Sequence, residues 1–253
     1  MKETRLIMGM PVIVEIVGAP QEALEPVFDY FTAVDERFST YKPASEVSRI
    51  NRGEVAPEAY SAEMREVLAL SEQTRIDTDG YFNVRTPDGS FDPSGIVKGW
   101  AIRNAARLVR NAGYDQYWVE AGGDIQVAGR DAQGDVWTAG IRNPFNEKEI
   151  VKVLRLDDCG IATSGNYIRG EHIYDPHTGA AASSGLVSVT VVGPDVYEAD
   201  RFATAAFAMG ARGIHFIESL DGFQGYAIDA NGQATMTTGL HHLVVPTLPT
   251  ISL

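Results

Sequence analysis

Apolar positions along the chain follow two rhythms, a helical one in the first half and a strand-like one in the second. Val12-Ile13-Val14-Glu15-Ile16-Val17 is β-branched and stops at Gly18-Ala19-Pro20, which predicts a strand closed by a breaker. From Gln21 to Phe38, Leu24, Val27, Phe28, Phe31 and Val34 recur at the spacing of an amphipathic helix. Ser39 to Arg52 is polar and reads as loop. Glu63 to Arg75 returns to helical spacing through Met64, Val67, Leu68 and Leu70. Gly99 to Asn111 repeats it, and Gly113 suits a left-handed C-terminal cap. The rhythm then shortens. Tyr117 to Glu120 and Asp124 to Val127 flank Gly122-Gly123, and Val136 to Ala139 follows a turn at Asp131 to Gly134. Ile150 to Leu156 and Leu186 to Val192 predict further strands, Val196 to Met209 predicts a helix, and short strands close the chain. Helices segregated from runs of strands favour an α+β fold over a doubly wound sheet. The expectation is a single compact unit over residues 1–253, with two interleaved lobes, mixed or antiparallel sheets and packed helices.

Composition narrows the classes of function. Hydrophobic residues make up 44% of the 253 and charged residues 22%, which excludes a disordered chain. Thirty-four acids against twenty-one bases give a net charge of −13. No basic surplus exists to neutralise phosphates, so no nucleic-acid partner is expected. Cys159 is the only cysteine, so no intrachain disulfide can form. No apolar run approaches the ~20 residues of a membrane span. The segment Met1 to Arg5 lacks an apolar signal core, so the expected address is cytoplasmic, or that of an exported protein with its leader removed.

The common catalytic signatures are missing: no Walker loop, no Gly-x-Gly-x-x-Gly opening a helix, no His-Glu-x-x-His and no Gly-x-Ser-x-Gly. Chemistry concentrates instead in loop-rich clusters: Phe38 to Tyr41, Asp92 to Gly99, Thr163 to Tyr167 with His172 to Gly179, and Glu198 to Thr204. Asp92 to Gly99 precedes a predicted helix, where free amides and Lys98 would attract phosphate; a plain N-cap turn is the alternative. Asp200 and Thr204 are four apart on a predicted helix and share a face. A carboxylate and a hydroxyl are hard oxygen donors suited to Mg²⁺, although an ordinary polar stripe has the same pattern. The Asp200 carboxylate is expected at a site surface rather than in the core.

Taken in order, the segments STYKPASEVSRIN, DGYFNV, DPSGIVKGWA, EAGGDIQVAG, IATSGNY, HIYDPHTG and VSVTVVGPDVYEADRFATAAFAMG, preceded by Met8-Gly9, resemble the ApbE family of FAD:protein FMN transferases. The resemblance implies Mg²⁺-dependent cleavage of the FAD pyrophosphate, transfer of FMN to a threonine hydroxyl of an acceptor protein, and release of AMP. It implies flavin and nucleotide contacts at Met8, Tyr41, Tyr81, Phe82, Asn83, Asp92, Lys98 and Tyr174. The Mg²⁺ ligands it implies are the Gly95 carbonyl with the Asp200 and Thr204 side chains, and Asp200 and His172 would be catalytic, His172 as the base that readies the threonine. The chain departs from the family pattern at Asn83, where Asp is usual, and in the short segment from Val84 to Phe91, where a longer insert walls the nucleotide site. Two alternatives stay open: an FAD-binding module without transfer, and an FAD pyrophosphatase giving FMN and AMP.

Overall fold

A computed structural model describes residues 1–86, 88–165, 177 and 185–246. The β-branched run predicted as the first strand forms β2 (Met10–Ile16), and Lys2–Ile7 adds an edge strand, β1, paired antiparallel to it. The two-residue turn between them places Met8 at φ 57° and Gly9 at φ 69°, the left-handed geometry that matches the twist of a tight hairpin. Helix α1 runs Glu25–Phe38 behind a short 3₁₀ turn at Gln21–Ala23, so the predicted helix begins later than its apolar spacing suggests. Pro26 explains the start, because its missing N–H and fixed φ suit a first helical turn.

The segment expected to be loop from Ser39 to Arg52 contains a helix, α2 (Glu46–Asn51). Ser45 caps it, accepting a 3.0 Å hydrogen bond from the Ser48 N–H. With six residues and only Val47 fully buried, α2 is too short to display a helical rhythm. Helix α3 spans Ala62–Asp77 and α4 spans Ser94–Asn111, which starts five residues before the predicted Gly99. Gly113, at φ 91°, ends α4 as expected: its N–H bonds to Arg110 O at 2.9 Å and that of Tyr114 to Val109 O at 3.3 Å, the paired bonds of a Schellman cap.

Strands β3 (Tyr117–Ala121) and β4 (Asp124–Ala128) are joined by Gly122 and Gly123, both at positive φ. A hairpin follows, β5 (Trp137–Asn143) and β6 (Asn146–Leu156), and then β7 (Gly160–Gly165) and β8 (Leu186–Gly193). The sequence pattern does not predict strand β7, and its end from Thr163 falls in a cluster read as loop-rich; its glycines and small polar residues carry little strand signal, and pairing on both sides imposes the conformation. Helix α5 occupies Val196–Met209, with the bounds its sequence predicts, and its N-cap Asp195 accepts the Glu198 N–H at 2.9 Å. Helix α6 (Gly213–Glu218), β9 (Gln224–Asp229) and β10 (Ala234–Met236) complete the order.

Among the described residues, eight strands form one antiparallel sheet in the order β1-β2-β3-β4-β7-β8-β9-β10. Its two faces are covered by different material. On one, β2 and β3 pack against α1 and α4, while Ala162, Val189, Val191 and Ala227 pack against α5 and α6. On the other, Ile125, Val127, Ile161 and Tyr226 meet the β5–β6 hairpin through Trp137, Ile141, Leu154 and Leu156. Strand β4 is consequently buried along its whole length, polar residues included. Among the described residues, no helix is long and apolar enough to cross a membrane.

Candidate functional site

The polar residues of the helix-covered face converge where α4 and α5 cross β4 and β7. Alternation along β4 sends Ile125 and Val127 to the hairpin side and Asp124, Gln126 and Ala128 to the helix side. Gln126 Oε1 accepts the Val196 N–H at 2.8 Å and so fixes the start of α5 against the sheet. One turn into α5, the Asp200 Oδ2 atom accepts the Gly99 N–H at 2.8 Å, across from α4. Asp200 is 2% exposed, contrary to the expectation of a surface carboxylate: its helix face is polar yet covered by α4 and the sheet.

Lys98, the residue before that amide, places its ammonium 2.5 Å from Asp124 Oδ2 and 3.8 Å from Asp200 Oδ1. Asp124 Oδ1 accepts the Thr163 N–H at 3.0 Å, tying the cluster to β7. One residue on, the Ser164 hydroxyl lies 3.2 Å from that of Thr204, a turn beyond Asp200 on α5. Burial pushes the Asp200 carboxyl up, to about 7; the Lys98 ammonium opposes the shift and the neighbouring Asp124 adds to it.

The first turn of α4 lies against the same place. A Cβ built on Gly95 would stand 3.3 Å from the Phe82 ring and 3.5 Å from the Thr204 methyl, so glycine allows a close approach of this backbone. The oxygen donors gathered here are carboxylates and hydroxyls, the chemistry of a hard cation. Among the described residues, no three His, Cys, Asp or Glu side chains gather as a metal site of that kind.

The other sequence-predicted residues are distributed around this centre. Tyr81 meets the His177 ring edge-on at 4.5 Å between centroids, and the Arg212 guanidinium donates to its hydroxyl. This contact brings one residue of HIYDPHTG beside the DGYFNV segment. Phe82 is buried beside the first turn of α4, whereas Asn83 is exposed and accepts the Arg85 N–H at 2.9 Å. Asp92 accepts the Ser94 N–H at 2.9 Å, but the N-cap position of α4 belongs to Pro93, so neither Asp92 nor Ser94 is the side-chain N-cap that the sequence also allows. Met8 sits half-buried on the β1–β2 turn, and Tyr41 is 94% exposed. No direct contact joins Met8, Tyr41, Asn83 or Asp92 to the Lys98–Asp124–Asp200 cluster among the described contacts. His172 and Tyr174 lie outside the described residues. Asp124 belongs to the EAGGDIQVAG segment, yet nothing in its sequence setting marks it as a site residue. It is an acid one residue past a Gly-Gly turn, at a strand position where alternation alone suggests solvent.

Comparison with known proteins agrees with this arrangement of motifs. The sequence pattern of the ApbE family matches residues 8–90 and 84–227. A FAD:protein FMN transferase of Salmonella typhimurium is 31% identical over 160 residues, covering 60% of this chain and 46% of that protein. One from Vibrio cholerae is 32% identical over 162 residues, covering 56% of this chain and 48% of its own length. The chain thus spans about half the length of the curated relatives it matches. Among solved structures, the flavin transferase ApbE from Vibrio cholerae is similar with a TM-score of 0.84 at 22% identity, over 96% of this chain and 98% of that one. The apo form of the Pseudomonas stutzeri flavinyl transferase ApbE gives 0.82 at 23% identity, over 97% of each chain. These structures share the antiparallel sheet and packed helices described above, and the family pattern runs from the β1–β2 turn to β9. The chain belongs to the ApbE family.

Proposed function

We propose that the protein transfers the FMN moiety of FAD to a threonine hydroxyl of an acceptor protein, with Mg²⁺ as cofactor and AMP as leaving group. The observation that carries this reading is the pairing of Asp200 and Thr204 on one face of α5, against Gly95 and the Lys98–Asp124 ion pair. The donor chemistry suits the cation: Asp200 and Thr204 offer a carboxylate and a hydroxyl one turn apart on α5, and the Thr204 methyl lies beside the backbone of Gly95. Asp200, Thr204 and the Gly95 carbonyl would hold Mg²⁺, which offsets the charge that builds on a pyrophosphate under attack.

The chain's own residues do the rest of the work. Tyr81 and Tyr174 supply aromatic surface for the flavin and the buried Phe82 ring backs the site, with the Phe82 backbone, Met8, Tyr41, Asn83, Asp92 and Lys98 as further contacts to the dinucleotide. His172 takes the threonine proton as its oxygen forms a bond to the FMN phosphorus. The bond from that phosphorus to the bridging oxygen breaks, and the electron pair leaves with AMP. Histidine suits this task because its ordinary pKa lies near neutrality.

The test is incubation of the protein with FAD, Mg²⁺ and a threonine-bearing acceptor, following AMP by chromatography and acceptor mass by spectrometry. The expected result is AMP released in step with covalently flavinylated acceptor, both abolished by EDTA. AMP without flavinylated acceptor would make the protein an FAD pyrophosphatase, and bound FAD without AMP would make it a binding module. The short segment from Val84 to Phe91, in which Arg85 bridges to Phe91, is the feature that favours these alternatives, since it leaves little chain to wall a nucleotide. For the base, His172→Ala should lower transfer by roughly 10²–10⁴-fold while FAD affinity, read by titration calorimetry, changes little. Parallel losses of rate and affinity would assign His172 a structural role instead.

A further inference from the structure

Two buried carboxylates share one ammonium in this site, and they share it unequally. Asp124 is 1% exposed and Asp200 2%. Lys98 Nζ lies 2.5 Å from Asp124 and 3.8 Å from Asp200 Oδ1. Asp124 cannot turn freely, because its other oxygen accepts the Thr163 N–H. Asp200 is likewise held by the Gly99 N–H through Oδ2, so Oδ1 is the atom left facing the ammonium at the longer distance.

We propose that Asp124 is a positioning residue for the cation site, holding the Lys98 ammonium off Asp200 so that Asp200 Oδ1 stays available to a divalent cation. The proposal rests on the reading of Asp200 as a cation ligand. Lys98 is joined to α4, the helix whose Gly99 amide already grips Asp200, so little movement would close the ammonium onto Oδ1. Removing the charge on Asp124 removes the attraction that holds the ammonium at the shorter distance, away from Asp200. The lysine would then occupy the electrostatic place of the metal, and two cations would compete for one carboxylate. A charge count makes the same point: with both carboxylates ionised, the trio of two carboxylates and one ammonium keeps one net negative charge, and neutralising Asp124 leaves none.

The sign of the effect differs between variants, which makes the proposal testable without substrate. Mn²⁺ binding to the full chain, followed by loss of its free paramagnetic resonance signal, reads the cation site in the absence of FAD. Asp124→Asn keeps an oxygen acceptor for the Thr163 N–H but removes the charge, and should weaken Mn²⁺ binding at least about tenfold, given the strength of charge pairs at these distances. Lys98→Met removes the competitor and should tighten binding. The double variant, with Asp200 alone and again one net negative charge, should return to within about threefold of wild type if the two residues act through each other.

Wild-type affinity in Asp124→Asn would overturn the role given to Asp124 while leaving the cation site in place. A double variant as weak as Asp124→Asn would overturn it too, since Asp124 would then act without Lys98. Absence of Mn²⁺ binding by the wild type would overturn the cation site itself, and this proposal with it. Circular dichroism and thermal melting establish that each variant is folded; should Asp124→Asn not fold, weaker binding by Lys98→Met would be enough to reject the idea.

Discussion

Among the described residues, Asp200 carries the sharpest electrostatic consequence. Its carboxyl is desolvated, and burial raises its pKa from 3.8 to about 7 despite the nearby ammonium. A carboxyl that holds its proton more tightly when folded favours folding below its unfolded pKa, and that contribution is lost as pH rises through the folded value. In EDTA, Asp200→Asn should therefore match wild type in stability near pH 4 and exceed it by pH 8, by on the order of 1–4 kcal/mol. Urea unfolding of both proteins across this range checks it; parallel pH profiles would mean that Asp200 is well compensated without metal. Cation-dependent AMP release should meanwhile fall by orders of magnitude. Sequence reasoning paired Asp200 with Thr204 correctly on one helix face, but it could not see that the face is covered. Asp124 escaped notice for a related reason. Alternation marks Asp124 and Gln126 as the polar side of a half-exposed strand, and only the helices above them make that side an interior.

At the scale of elements, small residues set the spacing that the site requires. A Cβ on Gly160 would meet the backbone nitrogen of Val196 at 2.0 Å, so β7 and the start of α5 are in direct backbone contact. Because backbone cannot swing aside as a side chain can, Gly160→Ala should cost about 3 kcal/mol or more in urea unfolding, at or beyond the upper end of overpacking substitutions. A smaller loss would show that α5 slides on the sheet. Polar residues of α2 tie distant segments in a comparable way. Asn51 donates to Phe91 O at 2.9 Å and accepts the Phe91 N–H at 2.8 Å, and Glu46 accepts from both the amide and the hydroxyl of Ser61. The first pair fixes the approach to α4, whose opening turn carries Gly95 and Lys98. The long amphipathic helices were legible because they repeat an apolar face over several turns. A helix of one and a half turns stabilised by polar contacts has no such repeat, and a strand of small residues has no β-branched signature.

For the whole molecule, the two faces of the sheet separate chemistry from support. The cluster around Asp200 lies on the helix side, while Trp137 is buried on the other, with its indole N–H donating to Ala128 O at 3.0 Å and its ring 5.7 Å from that of Trp118. Trp137→Ala should cost about 3–5 kcal/mol in stability. Metal affinity and FAD turnover per folded molecule should stay close to wild type, which titration and activity assays at low temperature would read. A loss of turnover equal to that of a site variant would show that the hairpin shapes the site through β4.

Much of this was decided locally and therefore stood in the sequence. The paired glycines at positions 122 and 123 supply the positive φ angles of a tight hairpin, Asp195 caps α5, Gly113 ends α4, and the apolar periods of α1 and α5 mark the faces that meet the sheet. Each depends on backbone preference or on contacts within a few turns, which neighbouring residues alone determine. The site centre does not. Lys98 reaches Asp124 and Asp200 only because the strand order sets β4 beside β7 and lays α4 and α5 across them. The burial that raises Asp200, the ammonium that partly offsets it, and the register that turns Asp124 inward all come from segments far apart in the chain. An isolated helix would expose the same polar stripe to water, and the packed sheet and helices turn it into a charged interior.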